Sequence, residues 1–265
     1  MPDSPDPFLD KIAIVTGASV GIGRATALAL ARRGAHIVLA ARRTALLEQV
    51  GGEIRSLGRE ALTVTTDVTD QSQVNHMVDC AIERWGQVDI LVSNAGEYVR
   101  AYIDTLTVQD LQRSMAVNFY GGVYAILAVL PHMQRRGNGH IAVVTSMDGK
   151  IGMPKDAPYA AAKFAMTGFA EVLRQELKGR GIYVSNVLPG RVDTPMIQNL
   201  KVPWISAKIP PEAAARSILH AIEKREPEVI LPPRAILLYY IHTFSPRLSD
   251  WFARFFHFEG WEEQE

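Results

Sequence analysis

Residues 12–26 read Ile12-Ala13-Ile14-Val15-Thr16-Gly17-Ala18-Ser19-Val20-Gly21-Ile22-Gly23-Arg24-Ala25-Thr26. The aliphatic and β-branched run up to Thr16 predicts a buried strand, and the Ala-rich run after Gly23 predicts a helix. Between them lie glycines at 17, 21 and 23. Glycine removes the side chain where backbone must approach a ligand closely, and the first turn of a helix carries unpaired amides that favour an anion. Strand, glycine loop and helix in that order open a βαβ unit, and with it a parallel sheet.

The same alternation continues outward from Lys11. Strands are expected at 12–16, 36–41, 61–66, 88–93, 140–145, 182–188 and 229–231, and helices at 21–33, 44–57, 71–85, 108–133 and 157–178. Pro131 and Pro158 fall near helix ends, where proline is tolerated. The expected fold class is α/β: a doubly wound, seven-stranded parallel sheet with helices on both faces, Rossmann-like. It occupies one domain, 11–231, with a frayed arm at 1–10 and an apolar, aromatic extension at 232–265. Right-handed crossovers place ligands beyond the carboxyl ends of the strands.

Composition narrows the function. Of 265 residues, 48% are hydrophobic and 21% charged, the balance of an ordinary globular chain with a large core. Lys plus Arg and Asp plus Glu are 28 each, so no basic field points to nucleic acid. The single Cys80, read as a small buried hydrophobe, excludes an internal disulfide and fits a reducing, cytoplasmic setting. Met1 to Asp10, with three prolines and three acids, does not read as a signal peptide, and no apolar run approaches the ~18 residues of a spanning helix. No metal site is expected.

Tyr159-Ala160-Ala161-Ala162-Lys163 puts a phenol and an ammonium on one helix face. A free tyrosine with a pKa near ~10 is a poor base, and a neighbouring ammonium is expected to lower that value, each unit being worth about 1.4 kcal/mol. Ala41 is followed by Arg42 and Arg43, where NAD-preferring dinucleotide folds end the second strand in an acid. Lacking that carboxylate, and offering guanidinium, the position favours a 2′-phosphate, unless Arg42 merely solvates a helix start.

The glycine loop resembles the T-G-x-x-x-G-x-G loop of the short-chain dehydrogenase/reductase family, and the order of the other motifs fits it. Ser93-Asn94-Ala95-Gly96 is similar to that family's N-N-A-G, departing at Ser93 only; Pro189-Gly190-Arg191-Val192-Asp193-Thr194 is similar to its P-G segment. The resemblance spans Lys11 to Leu231 and implies an oxidoreductase moving hydride between NADP(H) and a carbonyl or secondary alcohol. It assigns catalysis to Tyr159 as acid and base, Ser146 to the substrate oxygen, Lys163 to the phenol and the nicotinamide ribose, and Asn118 to a water beside the lysine. Cofactor contacts are expected from Gly17, Ser19, Gly21, Ile22, Gly23, Arg42, Arg43, Asp67, Val68, Asn94, Ala95, Gly96, Tyr159, Lys163, Pro189, Gly190, Val192 and Thr194. Asp67 has a competing reading as a cap for the helix near Asp70.

A substrate flap is expected at 196–209, with Glu97, Tyr98, Met147, Ile151, Met153, Trp204 and Ile205 as pocket walls for a hydrophobic carbonyl substrate. The extension's segments 235–244 and 248–258 suit a homo-oligomer interface, peripheral membrane contact, or cover over the substrate cleft. Competing functions are an NAD-dependent alcohol dehydrogenase and a catalytically silent cofactor-binding scaffold.

Overall fold

The computed structural model describes residues 6–262, the side chains of Ile205 and Glu262 excepted. Strands β1 (Ile12–Thr16), β2 (His36–Ala41), β3 (Ala61–Thr65), β4 (Ile90–Ser93), β5 (Gly139–Val144), β6 (Ile182–Pro189) and β8 (Glu228–Leu231) form one sheet in the order β3-β2-β1-β4-β5-β6-β8. All of its pairings are parallel, from Ile14 opposite Val38 on one side of β1 to Ile14 opposite Leu91 on the other. The chain runs outward from β1 to β3 and then returns to β4, so the crevice between β1 and β4 is the switch point where such sheets bind ligands.

Both faces of the sheet are covered, which is why β1 and β5 are buried along their whole length and read as aliphatic runs. Helices α1 (Gly21–Arg32), α2 (Thr44–Ser56) and α7 (Pro211–Lys224) close one face around Leu28, Leu39, Leu47, Ile54 and Ile218. Helices α3 (Gln71–Trp85), α5 (Gly121–Arg136) and α6 (Ala157–Glu176) close the other around Ile14, Met77, Ile126, Ile141 and Met166.

Helix α7 was absent from the sequence expectation, although Pro211 at its start and the buried Ala214, Ala215, Ile218, Leu219 and Ile222 give it helical spacing. The expected helix 108–133 is three pieces of one continuous run: α4 (Val108–Met115), a π-helical segment (Ala116–Tyr120) and α5, which passes Pro131 and ends at Gly137 in the left-handed region. Among the described residues this run alone is long and apolar enough to cross a membrane by length and composition; here Ala125, Ile126, Val129 and Met133 face the core.

Residues 6–10 do not fray as expected. Phe8 is only 1% exposed, the Arg33 guanidinium lies 4.6 Å from its ring centroid, and Arg33 bridges Asp6 and Glu223. Residues 1–5 of the expected arm lie outside the described residues. Cys80 is half-buried on α3, beside His76, and not enclosed in the core.

Past β6 the chain makes a short strand, β7 (Leu200–Lys201), inside the expected flap. After β8 it forms a helical hairpin, α8 (Ala235–Phe244) and α9 (Pro246–Phe255), and ends in β9 (Trp261–Glu262). Strand β9 pairs antiparallel with β7, so the extension is stitched to the flap.

Candidate active site

Three glycines shape the loop after β1. Gly17 and Gly21 have φ of +67° and +57°, a region costly for any residue with a Cβ. A Cβ on Gly17 would fall 2.9 Å from Ala95 Cα, and one on Gly21 2.9 Å from Thr194 Cγ2; one on Gly23 would collide with the Gly17 carbonyl at 2.3 Å. The loop is therefore wedged between the chain ends of β4 and β6. Asn94 locks it there: its side-chain amide donates to the Thr16 carbonyl at 2.9 Å, and the Thr16 hydroxyl accepts the amides of Asn94 and Ala95.

Helix α1 begins after Val20, which offers no side-chain cap to the first-turn amides. Those donors open toward a cavity of about 630 Å³. An anionic dinucleotide phosphate fits donors of this kind at a glycine-lined helix start. The cavity is lined by every expected cofactor residue except Gly23, and by Ser146, Tyr159 and Lys163.

At the far end of β2, Arg42 lines the cavity and Arg43 donates to Ser19 Oγ at 3.2 Å. Helix α3 is capped by Asp70, which accepts the amides of Ser72 and Gln73, so Asp67 is not the cap. Asp67 instead accepts the amide and hydroxyl of Thr69, and these bonds, helped by Arg42, hold its carboxyl below the usual range.

Ser146 lies two residues past β5 and caps the short turn Met147–Gly149. Tyr159 lies in the first turn of α6 with Lys163 one turn on. Lys163 Nζ donates to the Val144 carbonyl at 3.1 Å and lies 5.6 Å from the Tyr159 ring centroid. The two side chains thus share one face, but their electrostatics differ from the expectation. Burial pushes the Tyr159 phenol well up, and Asp148 pushes it further; burial brings the Lys163 ammonium down to about 8. For both groups desolvation outweighs the neighbouring charge.

Asn118 sits in the π-helical segment, an interruption frequent at functional sites. Its side chain does not line the cavity. It donates to the carbonyls of Glu97 and Ser114 and accepts the Glu97 amide, bracing the loop after β4 from behind Gly96.

The expected pocket walls divide. Tyr98, Met147, Ile151 and Met153 line the cavity. Glu97 does not; its carboxylate is paired with Arg113. Trp204 is 81% exposed and points away from any enclosure, while the side chain of Ile205 lies outside the described residues. Walls not expected come from the flap and the extension: Met196, Ile197, Leu238, Ile241, Phe252 and Phe258. Helices α8 and α9 thus contribute part of the cavity wall.

A polar cluster at this end also went unforeseen. Tyr98 donates to Asp156 at 2.8 Å, Arg100 pairs with Asp156 at 2.9 Å, and the Tyr98 ring meets Tyr159 edge-on at 4.9 Å. Arg100 and Arg191 then reach the carbonyls of Glu259 and Phe258, pinning the extension in place. Four separate segments supply these residues, and no local pattern announces their meeting.

Comparison with known proteins agrees with this geometry. The family model described as short chain dehydrogenase matches residues 11–203. A Drosophila melanogaster dehydrogenase/reductase SDR family protein 7-like is 35% identical over 256 residues, covering 91% of this chain and 78% of the relative. An Acinetobacter baylyi fatty acyl-CoA reductase is 33% identical over 217 residues, covering 81% and 74%. Among solved structures, a short-chain dehydrogenase/reductase from Burkholderia phymatum in complex with NAD superposes with a TM-score of 0.84 at 25% identity, covering 91% of this chain and 95% of that one. Levodione reductase gives a TM-score of 0.80 at 25% identity, covering 84% and 96%.

Proposed function

Because this chain belongs to the short-chain dehydrogenase/reductase family and is an oxidoreductase, we propose that it uses NADP(H) to interconvert a hydrophobic carbonyl and its secondary alcohol. The observation that carries the reading is one continuous cavity, running from the uncapped start of α1 and Arg42 to Ser146, Tyr159 and Lys163. Arg42, Arg43, Asp67 and Val68 would hold the adenosine end; Gly17, Ser19, Gly21 and Ile22 the phosphates; Asn94, Ala95, Gly96, Lys163, Pro189, Gly190, Val192 and Thr194 the nicotinamide end. Gly23 acts from behind, by letting α1 start against the loop.

When bound, the cofactor supplies the hydride. In reduction, Tyr159 gives its proton to the substrate oxygen and Ser146 steadies that oxygen. A phenol kept protonated by burial is ready for this direction at neutral pH. Alcohol oxidation needs the phenolate, so it should accelerate as pH rises. Lys163 then holds the carbonyl end of β5 and the ribose, and Asn118 supports the loop that frames them.

The decisive experiment follows nicotinamide absorbance with aryl ketones, steroids, retinoids and acyl aldehydes, offering NADPH and NADH in parallel. Turnover is expected with NADPH and lost by at least about a hundredfold in Tyr159→Phe. A Tyr159→Phe enzyme with wild-type rates would refute the mechanism. A second reading, NAD preference, draws on the NAD-bound neighbour. Replacing Ala41 and Arg42 by Asp should weaken NADPH far more than NADH; an unchanged preference would favour that second reading.

For partners, the outer face of the hairpin supports contact with a lipid surface. Leu237, Tyr240 and Phe244 on α8, and Leu248, Trp251 and Phe255 on α9, recur at helical spacing and are exposed, with Arg234, Arg247 and Arg254 beside them. Leu237 is 66% exposed yet also lines the cavity, so an apolar substrate could enter there. A homo-oligomer would use the exposed side of α5 and α6, where Leu127, Phe164 and Val172, with Tyr120 just before α5, are exposed. Flotation with anionic vesicles should be lost in Trp251→Glu; loss of self-association instead would assign the hairpin to a second copy.

A further inference from the structure

Ser146 has one proton and several claimants. Its hydroxyl accepts the Asp148 amide at 3.1 Å and lies 3.1 Å from Asp148 Oδ2, to which it donates. A carboxylate can only accept, so while Asp148 is ionised it holds the Ser146 proton and leaves lone pairs toward the cavity. A carbonyl oxygen arriving there needs a donor. Asp148 lines the same cavity, two residues beyond Ser146 in the turn that follows β5.

We propose that Asp148 is a positioning residue that sets the direction of the Ser146 hydroxyl: its carboxylate keeps the serine proton, and its neutral acid returns that proton to the substrate oxygen. The switch needs only proton uptake by Asp148 from solvent, with the serine hydrogen reoriented and not lost. It rests on the reading of Ser146 and Tyr159 given above.

The surroundings make the switch work in the right range. Asp156, buried on the segment before α6, faces Asp148 with like charge; Arg100 and Tyr98 from the loop after β4 occupy the Asp156 carboxylate. Arg191 from the loop after β6 approaches from the other side, tied to Ser206 and the Phe258 carbonyl, and Tyr159 and Lys163 face it from α6. Burial first, and Asp156 second, lift Asp148 to about 7 against the opposing pull of Ser146, Arg191 and Arg100.

Two measurements test this. In carbonyl reduction, wild-type kcat/KM should fall by about tenfold per pH unit above neutrality. Asp148→Asn, whose amide donates to Ser146 permanently, should abolish the fall centred near pH 7, leaving only the loss that follows deprotonation of Lys163 nearer pH 8, with the affinity for NADPH at pH 6.5 unchanged. A variant that is slower at every pH but keeps the wild-type profile would overturn the proposal, since that is what a merely structural role predicts.

The second measurement needs no turnover. The carboxyl carbon of Asp148, assigned by its absence in Asp148→Asn, is followed by 13C NMR in the protein without cofactor. Its midpoint should lie near 7 and rise in Ser146→Ala, which removes the hydroxyl that favours the carboxylate. A midpoint below 5, or one indifferent to Ser146→Ala, would overturn the switch. Failure of every carbonyl to react in the wild-type enzyme would instead strike the oxidoreductase chemistry, leaving the NMR result to decide on Asp148.

Discussion

His140 shows how one buried side chain couples this fold to pH. It opens β5 opposite Tyr183, and its Nε2 lies 2.8 Å from Ser185 Oγ. Ser185 spends its proton on the Glu226 carbonyl at 2.5 Å, so the imidazole must donate through Nε2. Burial, with Arg225 adding to it, brings its pKa from 6.5 down to about 4. Between those values the unfolded chain binds a proton that the folded chain does not, so stability falls as pH drops from 6.5 toward 4, by up to about 3 kcal/mol. Asp148 works in the opposite sense, because its raised folded-state value favours the folded form as pH falls below 7. The two trends overlap, so the useful quantity is a difference. Urea unfolding at pH 7 and pH 5 should show His140→Gln, which keeps a donor for Ser185, losing less stability on acidification than the wild type. Equal losses would mean that His140 does not carry the acid sensitivity.

At the scale of single elements, glycine's two costs can be separated. Gly52 in α2 and Gly168 in α6 lie inside helices, and a Cβ there would meet nothing within 4 Å. Alanine at either should add about 0.5–1 kcal/mol, through helix propensity and a less disordered unfolded chain. Gly21→Ala should cost at least about 1–2 kcal/mol, since φ is +57° and Thr194 stands in the way. Urea midpoints at constant m-value check all three. The same elements explain what could be read beforehand. The sheet was legible because strands buried on both faces must be aliphatic runs, and the crossover helices because their apolar faces recur at helical spacing. The glycine loop and the Tyr159–Lys163 pair were legible because spacing within one loop or one helix turn fixes their geometry, whereas Ser146 was read from the family resemblance. The course of α8 and α9 was not, since an apolar helix reads alike whether it covers a cleft, a membrane or a second copy. Nor was the meeting of Tyr98, Arg100, Asp148, Asp156 and Arg191, which only the return of β6 beside β5 brings about. The direction of the Tyr159 shift was misjudged because two neighbours in sequence reveal a charge but not the desolvation around it.

Across the whole molecule, the sheet core and the cleft cover are built from different parts of the chain. Neither of the two clusters that pack the sheet includes a residue beyond Leu231. The cover is held by Arg100 and Arg191 on the carbonyls of Glu259 and Phe258, and by the pairing of β9 with β7. Removing residues 232–265 should therefore leave the sheet folded, with its cooperative thermal transition intact. The cofactor end, lined by Gly17, Arg42 and Asp67, lies far along the cavity from Ile241 and Phe252, so NADPH affinity should change by less than about twofold. The substrate end loses Leu238, Ile241, Phe252 and Phe258 together. Even part of one such side chain's burial, at about 1.5–3 kcal/mol each, is enough to raise KM for an apolar carbonyl by tenfold or more. A small polar carbonyl, which never reaches those walls, should be almost unaffected in the truncated protein. Parallel KM measurements on a long-chain and a short carbonyl decide the matter: if both rise equally, α8 and α9 act by holding the catalytic residues in place and not by enclosing the substrate.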